Sequence, residues 1–215
     1  MIEENYKNIL NDIKQTNQAA GIPRLIAVSK TIPANSCEQL LRLNHRRFGE
    51  NRVQEAEEKW PPLRKLYSDI ELHLIGPLQS NKTKQAMQLF DVIQSVDREK
   101  IAALLAEQEQ QQQKYLRYYI QINIGEETQK AGIAPLEAKE FVSYCRNDLK
   151  LNIIGLMCIP PATQASGIYF ALLNKLASKC SLTNLSMGMS KDYRTAIAFG
   201  ATDIRIGSAL FGSRT

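Results

Sequence analysis

Eight short apolar runs, each followed by a stretch with helical spacing, constrain this chain more than any single residue does. The runs lie near 25–29, 46–49, 71–75, 92–95, 117–124, 152–157, 182–186 and 203–206. Helical patterns fall between them near 35–44, 51–67, 80–90, 97–113, 135–147, 165–179 and 191–199. Runs of four to eight apolar residues bounded by turn residues are what strands buried on both faces look like. Strands that alternate with helices predict parallel βα units. Two architectures satisfy that pattern, a closed (β/α)8 barrel and a doubly wound open sheet. The barrel is the better match. No G-x-G-x-x-G turn follows the first run, and the glycine-rich loops fall after the seventh and eighth. The expectation is an α/β fold: one (β/α)8 barrel over residues 1–215, with an extra helix over 1–20 packed on it.

Local signals punctuate the pattern. Ile2, Tyr6, Ile9, Leu10 and Ile13 recur at helical spacing, and Gly21 with Pro23 closes that first helix. Asn35 and Ser36 are placed to cap the next helix, Ser80-Asn81 opens another, Asp97 caps a fourth, and Pro135 suits a first turn. Pro61-Pro62 should break or kink the helix that contains them. The glutamines from Gln110 to Gln113 extend a helix, since Gln is a fair helix former.

Composition excludes some classes of function. A hydrophobic fraction of 44% and a charged fraction of 23% are ordinary for a globular protein. The longest apolar stretch, around Ile153 to Ile159, is too short to span a bilayer. The start Met-Ile-Glu-Glu is polar and acidic, unlike a secretory signal. Four widely spaced cysteines form neither a zinc signature nor a disulfide framework, so a cytoplasmic setting is expected. The net charge of +5 is scattered. Its best cluster, His45-Arg46-Arg47, has no interleaved aromatics, so no nucleic-acid partner is expected. No metal-ligand spacing is present.

The polar residues at the ends of the apolar runs carry the chemistry. Lys30 follows Leu25-Ile26-Ala27-Val28-Ser29 and so stands at the carboxyl end of the first strand, where α/β folds keep their sites. A half-buried amine can form a Schiff base with a carbonyl compound, although a surface turn would also carry a lysine. Loop seven, Leu185 to Asp192, and loop eight, Arg205 to Gly212, each combine glycine, a hydroxyl and a helix start. In barrels these two loops commonly join to hold a phosphate. Ser190, Gly207 and Ser208 lie in them. Arg205, inside the last strand, needs a partner if it faces the barrel interior; Glu50 or a ligand atom would serve. His73 alternates with Leu72 and Leu74 and faces either side of its strand, where a satisfied core histidine is the ordinary occupant. No nucleophile elbow is present. A Schiff-base lysine and a phosphate cup at one end of a barrel fit pyridoxal 5′-phosphate (PLP).

Five blocks carry a resemblance. They are Ala27-Val28-Ser29-Lys30-Thr31; Phe48-Gly49-Glu50-Asn51 with Val53-Gln54-Glu55; His73 to Lys82; Ser186-Met187-Gly188-Met189-Ser190 with Asp192; and Arg205-Ile206-Gly207-Ser208 with Phe211-Gly212. In these the chain resembles the pyridoxal phosphate homeostasis proteins over essentially its whole length. The resemblance implies an alanine-racemase-like (fold type III) barrel with PLP held as an aldimine on Lys30. It implies that Ser190, Gly207 and Ser208 hold the phosphate, that Arg205 faces the pyridine nitrogen, and that Asn51 and His73 lie near the ring. The implied role is to bind, buffer and deliver the cofactor, to PLP-dependent apo-enzymes among others, without a dedicated catalytic activity. Arg52 stands where an aromatic is frequent and Ile32 where lysine is common; neither touches the implied anchors. An arginine opposite the pyridine nitrogen weakens the electron sink. The chain ends immediately after its last barrel segment, so no second domain is expected; a single barrel with no obvious exposed apolar stripe makes a monomer the expectation, and no membrane partner is expected. A weak PLP-dependent racemase or lyase is the alternative, and a Schiff-base aldolase a third.

Overall fold

The computed structural model describes residues 1–16 and 21–212. Eight strands close into a parallel barrel in sequence order, and β1 pairs with β8. That pairing decides between the two architectures. The strands are β1 (Arg24–Val28), β2 (Arg47–Glu50), β3 (Glu71–Leu74), β4 (Val92–Val96), β5 (Arg117–Ile122), β6 (Ile153–Cys158), β7 (Asn184–Ser186) and β8 (Asp203–Ile206). The α-helices are α1 (Ile2–Thr16), α2 (Ala34–Arg42), α3 (Val53–Leu66), α4 (Thr83–Leu89), α5 (Glu99–Gln112), α6 (Ala138–Ser143), α7 (Ser166–Lys179), α8 (Tyr193–Ala198) and α9 (Ser208–Phe211). None is long and apolar enough to cross a membrane.

Alternation along each strand sorts its side chains into two environments. Leu25, Ala27, Phe48, Leu72, Leu74, Ile93, Ile120, Leu156, Leu185, Ile204 and Ile206 join the large core that also takes the inner faces of the helices. Their neighbours point the other way. Among the described residues Val92, Tyr119 and Met157 form a small second apolar cluster there, and Ile26, between Leu25 and Ala27, is buried on the same face. Beside them stands a polar interior set: Arg24, Glu71, His73, Gln94, Ser186, Asp203 and Arg205. Buried polar groups are tolerable only when hydrogen-bonded, and these bond to one another. At the amino-terminal end of the barrel, Asp203 Oδ2 accepts from Arg24 at 2.7 Å and from the Tyr119 hydroxyl at 2.7 Å.

Helix α1 lies against the outside of the barrel, with Ile9 and Ile13 buried. Asn5 Nδ2 donates to the Leu210 carbonyl at 3.1 Å, and Asp12 accepts from Tyr193 and Arg194. The expected helix over 1–20 is seen to Thr16; residues 17–20 lie outside the described residues.

Several boundary expectations are corrected. Helix α3 runs unbroken through Pro61 and Pro62 to Leu66. The two rings remove the N–H groups that would reach the carbonyls of Glu57 and Glu58, and both of those residues are exposed, on the side of the helix where that loss is least costly. Asn35 and Ser36 sit inside α2, whose cap position is Pro33. Asp97 precedes the cap residue Arg98 and pairs with it instead. Helix α6 starts three residues after Pro135, at Ala138, and continues as a wide π turn over Tyr144–Asp148. The glutamine run does extend α5, which ends with Gln113 left-handed at φ 50°.

Because Pro62 is exposed and forgoes a helical hydrogen bond, Pro62→Ala should stabilise the fold by about 1–2 kcal/mol, less than the ~3 kcal/mol intrinsic penalty because the unfolded chain gains freedom. A urea unfolding curve checks this. An unmoved midpoint would mean that the local backbone already accommodates the ring at no cost.

Candidate functional site

The carboxyl ends of β1, β2, β7 and β8 bring most of the expected residues to one face of the barrel. Lys30 lies in the turn just after β1 and is half-buried. Asn51 follows β2 directly, also half-buried. Its backbone is held by Gly76 from the neighbouring loop, where an added Cβ would come within 2.4 Å of the Asn51 carbonyl oxygen.

The turn that carries Lys30 is clamped from outside the barrel. The Ser29 N–H donates to the Gly49 carbonyl at 3.0 Å, and the Thr31 N–H donates to Glu55. Ser29 Oγ donates to Glu50 Oε1 at 2.8 Å, and Lys59 Nζ donates to the Ser29 carbonyl at 2.7 Å. Lys59 also pairs with Glu50 at 2.9 Å and Glu55 at 2.8 Å. Trp60 Nε1 adds a third bond to Glu50 at 3.0 Å. Burial pushes the Glu50 carboxyl up, against the pull of Lys59. Burial also opposes charge on Lys59, but Glu55 and Glu50 outweigh it and hold the ammonium above its usual range. Glu50 is therefore committed to the layer between barrel and helix. The expected pairing of Arg205 with Glu50 is corrected: the even period of a strand sends the two to opposite faces of the sheet.

Arg205 is 3% exposed and lies within β8. It donates to Ser186 Oγ at 2.6 Å and to the Cys158 carbonyl at 2.9 Å. Among the described residues no carboxylate lies within ion-pair distance of it, although Asp203 and Asp192 contribute at longer range. Burial pushes its guanidinium down from the ordinary value. A buried cation without an acid in contact is costly unless something else supplies acceptors.

Loops seven and eight meet. The Ala209 N–H donates to Ser190 Oγ at 3.2 Å, and the Arg205 N–H donates to the Gly188 carbonyl at 3.0 Å. Ser208 opens α9 and is exposed, while Ser190 and Gly207 are half-buried. The two glycines differ in kind. Gly188 has φ +90°, and an added Cβ would lie 2.4 Å from Ala196, so the fold itself requires glycine there. Gly207 has φ −115°, and an added Cβ would meet only Val28, at 3.4 Å, which is ordinary contact.

His73 is buried within β3, 3% exposed, and both its ring nitrogens bond protein groups: Glu71 at 2.8 Å and Gln94 at 2.9 Å. It thus belongs to the barrel interior. The basic run His45-Arg46-Arg47 is spent locally. His45 bonds the Arg47 carbonyl, Arg46 pairs with Asp69 and Arg47 with Glu71. All four cysteines are buried free thiols.

Sequence reading missed Gln94, Glu71, Lys59 and Gly76. A signal existed for two of them. Gln94 interrupts an otherwise apolar strand, and Lys59 stands four residues after Glu55 on one helix face.

The chain matches the alanine racemase N-terminal domain family over residues 5–215. It is 40% identical to the pyridoxal phosphate homeostasis protein of Pasteurella multocida (strain Pm70), over 99% of this chain and 97% of that one. The chain belongs to the pyridoxal phosphate homeostasis protein family. Within known structures, it resembles PipY of Synechococcus elongatus PCC7942, solved without PLP, at a TM-score of 0.90 and 34% identity, covering 99% of this chain and 100% of that one. The PLP-bound form of PipY aligns at a TM-score of 0.85. An alanine racemase from Clostridium difficile 630 shares the fold at a TM-score of 0.75 and 13% identity, with 98% of this chain covering 56% of that one.

The clamp on the Lys30 turn makes a prediction. Lys59→Met strands a buried carboxylate and should cost about 3 kcal/mol, and Glu50→Gln in the same chain should recover most of it. Chemical unfolding of the two single variants and the double checks this. Strict additivity would show that Glu50 and Lys59 do not act as a pair.

Proposed function

We propose that this chain binds pyridoxal 5′-phosphate through Lys30 and serves in holding and releasing that cofactor, residues 1–215 acting as one binding unit. The observation that carries the reading is the buried guanidinium of Arg205, with no carboxylate in contact, at the same end of the barrel as a half-buried lysine and a joined pair of hydroxyl-bearing loops. An acceptor atom of a ligand would complete the surroundings of that cation, and the pyridine nitrogen of PLP is such an atom. Gly207 points the same way. Neither its backbone angle nor its packing demands glycine, so close approach of a ligand is the remaining physical reason for one. Membership of the family and the PLP-bound form of PipY support the choice of cofactor.

In this reading Lys30 would hold the cofactor, its half-buried amine being the group that can react with an aldehyde. Ser190, Ser208 and the backbone at Gly207 hold the phosphate. Asn51, set by Gly76, lies beside the ring, and His73 contributes from behind through Gln94. PLP supplies carbanion stabilisation to enzymes that protonate its ring nitrogen; an always-charged arginine facing that nitrogen disfavours the proton. This residue choice supports a role in binding, buffering and delivery to apo-enzymes, as a single copy, and no dedicated reaction. The exposure of Ser208 and Met189 at the rim suits exchange with solvent.

Added PLP should give a yellow protein, and borohydride reduction followed by peptide mass mapping should find the adduct on Lys30. Lys30→Ala should lose the visible band. Ser208→Ala should weaken retention roughly tenfold, the value of one charge-assisted hydrogen bond. A protein that stays colourless and unmodified would overturn the reading, and an adduct on another lysine would overturn the anchor. Loss of the α-hydrogen from added alanine would argue for the racemase alternative.

A further inference from the structure

Five of the polar side chains inside the barrel form a file from one end to the other. Arg205 Nη1 donates to Ser186 Oγ at 2.6 Å. Ser186 Oγ donates to Gln94 Oε1 at 2.6 Å. Gln94 Nε2 bonds His73 Nδ1 at 2.9 Å, and His73 Nε2 bonds Glu71 Oε1 at 2.8 Å. These four bonds join β8, β7, β4 and β3. They start beneath the carboxyl-end loops and finish at the first residue of β3, on the opposite rim.

The direction of every proton in this file follows from its first member. A guanidinium has donors only, so Ser186 Oγ must accept from it. The hydroxyl hydrogen of Ser186 is then given to Gln94, which turns its carbonyl toward Ser186 and its amide nitrogen toward His73. His73 must accept on Nδ1 and therefore carries its hydrogen on Nε2, facing a carboxylate. The far end agrees independently, because an ionised Glu71 can only accept. Burial would push the Glu71 carboxyl up, but the hydrogen bonds from His73 and Arg117 and the Arg117 charge outweigh that and hold it well below the usual carboxylate range. Arg47 and Arg117 fix Glu71 in turn, at 3.1 Å and 2.9 Å. With all donors pointing one way, each bond polarises the next.

We propose that Gln94 and Glu71 are positioning residues for Arg205: the file fixes the guanidinium, and with it the face that Arg205 presents to the cofactor ring. The last clause rests on the cofactor reading above; the file itself does not. Glu71 thereby sets the aim of a group at the other end of the barrel, without touching the site. The Cys158 carbonyl holds only one of the guanidinium's nitrogens, so loss of the Ser186 bond leaves Arg205 free to pivot about the other.

The test uses the ligand-free, nitrogen-15-labelled chain and the variants Gln94→Leu and Glu71→Ala. The Arg205 side-chain N–H signals should move in both variants, and their exchange with solvent should quicken by roughly tenfold, the equivalent of one lost hydrogen bond. Glu71 lies at the barrel rim, so Glu71→Ala decides the matter if Gln94→Leu does not fold. Arg205 signals unmoved in Glu71→Ala would overturn the proposal whatever happens with PLP. A PLP titration is read separately. A dissociation constant raised by roughly tenfold in Gln94→Leu is the expected result. Moved signals with no PLP uptake by the parent chain would leave the file standing and defeat the cofactor reading alone.

Discussion

A guanidinium buried inside a β-barrel sets the terms for everything packed around it. Barrel interiors of this size are usually filled by layers of branched apolar side chains. Here the apolar filling, Val92, Tyr119 and Met157 with Ile26, shares the interior with a large polar set. Each such group would cost several kcal/mol if left alone in a dry interior. The cost is met by mutual satisfaction: Arg24, Tyr119 and Asp203 at one end, and the line from Arg205 to Glu71 through the middle. This arrangement also specifies register. A slip of one residue in any strand would send its polar set into the helical layer and its leucines and isoleucines into the charged interior.

The two cationic side chains of the site are supported from opposite faces of the sheet. Lys30 sits on a turn held by Glu50, Glu55 and Lys59, all on the helix-facing side of the sheet. Arg205 is held from within, by Ser186 and the residues behind it. β1 and β8 are neighbours, with Ile26 opposite Arg205, so both groups lie toward one end of adjoining strands while their supports lie on opposite faces of the sheet. A substitution in α3 should disturb the lysine and spare the arginine, and one in β4 the reverse. Groups held by side chains that are themselves locked are the ones that keep a geometry before a ligand arrives.

Strand positions were legible because strands buried on both faces read as unbroken apolar runs, and all eight appear within about two residues of where the pattern puts them. That same double burial hides which face looks inward. The sequence around His73 offers Leu72 and Leu74 on either side, and nothing local says which of the three turns toward the barrel axis. Glu50 and Arg205 show the consequence: both are charged residues on strands, an obvious pair by type, and the sheet separates them. Helix boundaries failed for another reason. Asn35, Asp97 and Pro135 are all good starting residues, but the strand-to-helix geometry sets where each helix can begin. The prolines of α3 mislead in the same way, since the water-exposed side of a helix can lose two hydrogen bonds that its core could not.

The loops divide by what their glycines are for. Gly188 and Gly76 are demanded by the protein, one by a left-handed backbone and both by atoms that leave no room for a Cβ. They shape the surface that a ligand meets. Gly207 is demanded by nothing within the chain, and it sits where Ser190 and Ser208 converge. Below that point the interior is closed and bonded, and above it Ser208 and Met189 are open to water. A floor of side chains bonded to one another fixes the orientation of whatever binds, while an exposed rim lets it leave. On the proposed reading, an arginine facing the ring nitrogen would weaken the cofactor as an electron sink, and a wet rim would favour exchange over turnover. That division of rigidity is what a protein that keeps a reactive aldehyde in reserve requires.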